Sequence, residues 1–134
     1  MKLDLQFMQL MKNLENTKEV TQMKLKHTTF FGKTYELKLY KGHYLPRYGG
    51  GIAIQATINE DGFEEPWSTI TVNLGELPEE NMAAIDVNNN GANILDELIN
   101  AGFCTLLYFK RSGYCEYPVV EFTEEFLNGL EEMR

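Results

Sequence analysis

Two runs of alternation stand out along the chain. Ile52, Ile54, Ala56 and Ile58 mark one face of a strand, and Ile70, Val72 and Leu74 mark one face of another, with Trp67, Thr69, Thr71 and Asn73 on its far side. An apolar residue at every second position predicts a half-buried strand. Asn59-Glu60-Asp61-Gly62 supplies the turn between them, and Pro66 opens the second strand, where a missing donor costs no ladder bond. A second hairpin precedes this one. Met23, Leu25 and His27 alternate with Lys24 and Lys26, and Tyr35, Leu37 and Leu39 alternate with Glu36 and Lys38, so its outer face is basic and His27 is an ordinary strand residue. A third hairpin runs over Phe103 to Lys110 and Tyr114 to Phe122, turning near Ser112-Gly113. Apolar residues on both its faces place it under cover on both sides or in the sheet centre, while Pro118 pushes its own strand towards an edge.

Helical spacing occurs in three places. Leu3, Phe7, Leu10 and Leu14, with Met8 and Met11 alongside, predict an amphipathic helix from about residue 3 to 15. Ile94, Leu95, Leu98 and Ile99 cluster on one side of a helix near 92–100, which Gly102 ends. Thr123 caps a last helix with Glu124 and Glu125 in its first turn and Phe126, Leu127, Leu130 and Met133 on its packing side. Leu77-Pro78-Glu79-Glu80 starts a short helical turn leading to Ala83-Ala84-Ile85, and Asp86 to Gly91 is a polar turn. The expected fold is α+β: an antiparallel sheet of five to six strands, with the N-terminal helix, the helix near 92–100 and the C-terminal helix packed on it. The 134 residues form one domain, with a helical segment over 1–20 and the sheet and helices over 21–134.

Charge changes the picture. Residues 1–47 hold nine Lys/Arg against four Asp/Glu, whereas residues 48–109 hold ten Asp/Glu and no Lys, Arg or His; the chain totals −8. Such asymmetry speaks about fields and partners rather than fold. Phosphates would be repelled by the acidic part, so direct nucleic-acid binding is not expected. A basic protein groove is the better match, since carboxylates spread over a domain can imitate the phosphates of a duplex. The expected contact set is Glu60, Asp61, Glu64, Glu65, Glu76, Glu79 and Glu80, with Trp67 as an aromatic anchor. The Gly- and Pro-rich loop from Lys41 to Gly51 adds His43, Tyr44, Arg47 and Tyr48 as a secondary contact, residue types that favour interfaces. No apolar run approaches a bilayer span, and the acid and amide in Met1-Lys2-Leu3-Asp4-Leu5-Gln6 do not suit a signal peptide, which predicts a cytoplasmic protein.

Candidate chemistry is thin. Asp86, Asn88, Asn90, Gly91 and Glu97 match positions 1, 3, 5, 6 and 12 of a calcium-binding EF-hand loop, with hard oxygens at alternate positions and a closing Glu. Position 8 is Asn93 where an apolar residue is usual, and the entering helix is short, so an Asn/Gly turn capping the next helix competes with the calcium reading. Two His and two Cys, scattered, make no zinc site and no specific nucleophile pair. Cys104 and Cys115 lie on the two arms of the third hairpin, facing Glu121 and Lys110 respectively, too far apart to bridge and read as free thiols. No enzyme activity and no cofactor are expected.

Ile70-Thr71-Val72-Asn73-Leu74, Asp86-Val87-Asn88-Asn89-Asn90 and Tyr117-Pro118-Val119-Val120-Glu121-Phe122 carry a resemblance. Over about residues 34 to 122 the chain resembles a functionally uncharacterised family encoded by bacterial phages, plasmids and conjugative elements. The resemblance implies that the Asp-Asn-Asn turn is a structural feature and supplies no catalytic residues. It also implies a class of work inside a bacterial host cell, inhibition of host defence. The expected function is therefore a non-enzymatic inhibitor of the anti-CRISPR type that blocks a defence nuclease, such as a Cas9-type effector, through an acidic, nucleic-acid-mimicking surface. A calcium-responsive regulatory module, or a structural or assembly protein of the mobile element, are the alternatives.

Overall fold

The computed structural model describes residues 23–133, so the helix expected over residues 3–15 lies outside the described residues. The strands are β1 (Lys24–Thr28), β2 (Thr34–His43), β3 (Ile52–Glu60), β4 (Phe63–Thr69), β5 (Thr71–Val72), β6 (Met82–Ile85), β7 (Cys104–Ser112), β8 (Cys115–Phe122) and β9 (Glu131–Glu132). Three short helices intervene: α1 (Val87–Asn90), α2 (Asn93–Asn100) and α3 (Glu124–Gly129). The expected single sheet with helices packed on it is not what forms. Two sheets divide the strands, one in the order β1-β2-β3-β4 with β9 added beside β2, the other in the order β5-β6-β8-β7. All pairings are antiparallel except β2 with β9. The expected helical cover is replaced by sheet facing sheet, and Ala83-Ala84-Ile85, expected to follow a short helical turn from Leu77, belong to the strand Met82–Ile85.

The division happens at Ile70. Its N–H donates to Ile54 O of β3 at 2.8 Å, and its C=O accepts from Asp86 N, just past β6, at 2.8 Å. One residue is thus bonded to both sheets, and the run read as a single strand from Pro66 to Leu74 bends there. The alternation fails with it: Thr71 is buried, while Val72 is only half-buried. Upstream, β4 begins at Phe63, and Asp61 and Gly62, both at positive φ (53° and 84°), make the two-residue turn. Pro66 sits opposite Thr57, where the register slips and Trp67 is the extra residue of a bulge.

Between the sheets lies one core. Leu25, Leu37, Leu39, Ile52, Ile54 and Ala56 from the first sheet meet Ile70, Ile85, Val120 and Phe122, with Ile94 and Leu98 of α2 and Phe126 of α3 filling the ends. The C-terminal helix starts as its sequence predicts, Thr123 Oγ1 accepting from Phe126 N at 3.1 Å, but ends at Gly129, so the last residues pair with β2 instead. A smaller apolar cluster covers the outside of the second sheet, where Leu74 and Leu77 of the β5–β6 loop fold back on Met82, Ala84 and Val119. No helix among the described residues is long and apolar enough to cross a membrane.

The third hairpin differs from its expected register. Its turn is Gly113-Tyr114, so Cys115 faces Ser112 and Cys104 faces Phe122. The thiols remain free at opposite ends of the hairpin, and burial pushes the Cys104 thiol up to about 11. β8 is central despite Pro118. Counting from the hydrogen-bonded closing pair Ser112–Cys115, Phe109–Pro118 is a pair whose backbone groups point away from each other, and β6 stops pairing at Val119, so Pro118 is asked for no donor.

Ile70 is fully buried at the junction of the sheets, so Ile70→Ala is expected to cost roughly 2–5 kcal/mol, read as a lowered midpoint in urea unfolding with the denaturant slope unchanged.

Candidate functional site

Strand alternation gives the first sheet an inner face, carrying Leu37 and Leu39, and an outer face carrying Lys38 and Tyr40. Across the ladder, Lys38 stands opposite Thr57 and Tyr40 opposite Gln55, so these four share the outer face. Glu64 of β4 joins them: Tyr40 Oη donates a short hydrogen bond to its Oε1, and Thr57 Oγ1 donates to the same oxygen at 2.7 Å. Lys38 Nζ lies 4.9 Å from the centre of the Tyr40 ring and 3.6 Å from Glu131 Oε1. These bonds hold the Glu64 carboxyl below its usual value, the Tyr40 hydroxyl contributing most and Thr57 next. Burial, and then the bond to Glu64, push the Tyr40 hydroxyl up.

Around this network opens a cavity of about 650 Å³. Tyr40, Ala56 and Pro66 contribute apolar surface, and Glu64, Glu65, Glu131 and Glu132 line it from β4 and β9, the Glu64 and Glu131 carboxylates lying on the face of Tyr40 and Lys38. Lys38, bonded into its edge, is not among the residues that line it. An apolar floor with an acidic rim has the chemistry to accept the stem and the charged head of a lysine or arginine side chain.

The expected contact residues do not form one surface. Glu64 and Glu65 line this cavity, whereas Glu79 and Glu80 line a separate groove with Lys41, His43, Glu124 and Leu127. Tyr40 and Lys41 are successive residues of β2, so the two recesses lie on opposite sides of that strand. Glu60 and Asp61 sit at the β3–β4 turn, and the Glu76 backbone packs against Gly49. A methyl group at Gly49 would stand 2.8 Å from Glu76 N, and its φ of 102° favours glycine. Trp67 lines the cavity with Glu64 and Glu65, while its ring packs on Tyr35 at 4.6 Å and meets His27 edge-on at 6.4 Å, against the core.

The secondary loop is similarly divided. Tyr44 Oη is 2.9 Å from Thr71 Oγ1, a bond that ties the end of β2 to β5, and burial pushes its hydroxyl up. Arg47 lies over the ring of the exposed Tyr48 at 5.0 Å, on a one-turn 3₁₀ helix, while His43 joins the Glu79/Glu80 groove. His43, Arg47 and Tyr48 of this set are exposed, and Tyr44 alone is committed to the fold.

The oxygens of the calcium alternative point to partners inside the fold. Glu97 is taken by His27 Nδ1 at 2.5 Å and by Thr28 N at 2.7 Å. Asp86 accepts from Asn89 N at 3.2 Å and Asn89 Nδ2 at 2.7 Å, as the cap of α1. Asn90 donates to Thr69 O at 3.0 Å and Asp86 O at 2.9 Å and accepts from Ser68 Oγ, while Asn88 is exposed. The side chains serve three separate internal tasks rather than one centre. His27, read as an ordinary strand residue, is instead the buried partner of Glu97.

The sequence reading missed Tyr40, Thr57, Glu131 and Glu132. Tyr40 and Thr57 sit at outward positions of strands that it did predict, so the alternation alone could have pointed to them. Glu131 and Glu132 were assigned to a helix.

A family model for a domain of unknown function, DUF4313, matches residues 38–133. The chain belongs to the DUF4313 family. The match includes every residue of the acidic cavity and excludes β1. No curated protein and no solved structure matches the chain.

Two outcomes follow for this site. In Tyr40→Phe the Glu64 pKa rises towards its ordinary 4.5, as followed by NMR titration of the side chain. Because the folded-state pKa lies below the unfolded one, the stability that Tyr40→Phe loses is present at neutral pH and vanishes as pH falls through that depressed value. Calcium in millimolar excess leaves the melting temperature unchanged, since its would-be ligands are engaged inside the fold.

Proposed function

We propose that this DUF4313 protein is a non-enzymatic binding module that grips a basic segment of a partner protein through the outer face of its first sheet. One observation carries the reading: Glu64 and Glu131, from strands far apart in sequence, bring their carboxylates to one cavity with an apolar floor. Glu64 is held ionised and in place by Tyr40 and Thr57, so the site is built before a partner arrives. A continuous duplex mimic is not part of this reading, because the acids of residues 48–109 divide over two faces and Asp86 and Glu97 serve the fold.

The finer proposal is that the partner is a bacterial defence nuclease, a Cas9-type effector in the leading case, inhibited when the module occupies part of its basic groove. Its support is the net charge of −8, the preformed acidic cavity, and the resemblance to proteins of phages, plasmids and conjugative elements.

The test pairs a cleavage assay of a Cas9-type effector with calorimetry on a lysine- and arginine-rich peptide. The wild-type protein slows cleavage and binds the peptide. The double variant Glu64→Gln/Glu131→Lys loses about tenfold or more in both, while Glu79→Lys/Glu80→Lys, on the other side of β2, loses little. Peptide binding without nuclease inhibition removes the nuclease and keeps the basic partner. Equal behaviour of the two double variants overturns the cavity as the site.

A further inference from the structure

The outer edge of the second sheet is a different surface, on a different sheet from the acidic cavity. β7 pairs with β8 alone, and among the described residues nothing else pairs with it. Its exposed residues are not those of a protected edge. Leu106, Leu107, Tyr108 and Phe109 are consecutive and each between 39% and 56% exposed, which contradicts the expectation that this hairpin is covered on both sides. Edge strands are ordinarily blunted by proline, by charge, by brevity or by a bulge. From Thr105 to Phe109 β7 has neither proline nor charge, and it is nine residues long. Its one irregularity is a bulge at Leu107, between the paired Leu106 and Tyr108.

Beyond the bulge the backbone is poised to pair. The two-residue turn makes Ser112–Cys115 a hydrogen-bonded pair, so Lys110–Tyr117 is also one, and Phe109 and Arg111 alternate with them. The N–H and C=O groups of Phe109 and Arg111 therefore point away from β8, out of the sheet edge. We propose that β7 is where two copies of this chain pair, edge to edge and antiparallel, joining their four-stranded sheets across a twofold axis.

Charge argues for a second copy. Two molecules of net charge −8 repel, so contact must come where carboxylates are absent, and Leu98 to Cys115 contains none. The only charges there, Lys110 and Arg111, both lie at the hairpin end of β7. An antiparallel register centred at Leu107–Tyr108, the middle of β7, puts each copy's cations opposite the other's uncharged strand start, away from their own kind. That start follows the C-terminus of α2, whose last turn holds no basic residue and whose carbonyls favour a cation. The same pairing sets the apolar run of one copy beside that of the other on both faces of the joined sheet, which is the self-complementarity a twofold contact requires.

The test is the solution mass of the full chain under reducing conditions, so that Cys115 cannot contribute, by sedimentation and light scattering from about 1 to 300 µM. The mass is expected to rise from one chain towards two. Leu107→Lys and Phe109→Lys, each at an exposed position, should keep the circular dichroism and melting temperature and weaken association by about tenfold or more. Amide exchange at Phe109 and Arg111 should slow as concentration rises. A monomer across the whole range, a dimer indifferent to both variants, or protection of those amides independent of concentration overturns the proposal. The last result would mean that the chain covers its own edge.

Discussion

Ile70 holds the architecture together through two backbone hydrogen bonds that run to different sheets. A strand that stayed in one sheet would offer its N–H and C=O groups to neighbours in that sheet alone. Here the N–H goes to Ile54 and the C=O receives Asp86, and the chain turns a corner between them. The corner converts what would be one wide sheet into two facing ones, and the apolar faces of both close on a shared core. It also decides which side of the first sheet is left for function. With the inner face committed to the core, the outer face of β2, β3 and β4 is free to carry Lys38, Tyr40, Thr57 and Glu64.

The corner makes demands on the acidic stretch that follows it. Asp86 supplies its N–H to Ile70 and its carboxylate to the start of α1, and Asn90 ties the same turn to Thr69 and Ser68. α2 is then fixed to β1 through Glu97, which receives His27 and Thr28. Burying a carboxylate this way is tolerable because its oxygens are matched by donors. Carboxylates that looked like surface charge in the sequence are therefore structural, and the acidity available to a partner is smaller and more local than the count of ten suggests.

Much of the secondary structure was legible. Hairpins, the Asp61-Gly62 turn, the Thr123 cap and the helix from Asn93 to Asn100 all follow from period and turn chemistry, which act within a few residues. The sheet division was not, because nothing local to Ile70 distinguishes it from Ile52 or Ile54; only the position of Asp86, sixteen residues on, makes it a corner. Met82 to Ile85 misled for a related reason. Four consecutive buried residues lack the alternation that marks a half-exposed strand, and a strand covered on both faces has no period to read. Half of the acidic cavity was legible, since Glu64 and Glu65 stand in a predicted hairpin. The other half depends on α3 stopping at Gly129, which the Leu127, Leu130 and Met133 spacing disguised as a longer helix.

That early stop bears on how the site is completed. β1 pairs with β2 as far as Lys38, Met23 O receives Leu39 N, and from Tyr40 onward the same edge of β2 is occupied by β9. Two segments from near the two ends of the described chain thus share one strand's edge, one running antiparallel and the other parallel. The second brings Glu131 to Lys38, the cation that would otherwise face Glu64 across the outer surface unopposed. Pairing Lys38 with Glu131 leaves Glu64 as net negative charge on the face of Tyr40. The acidity of this site is therefore a product of tertiary pairing at β2, and the charge asymmetry along the sequence does not by itself create it.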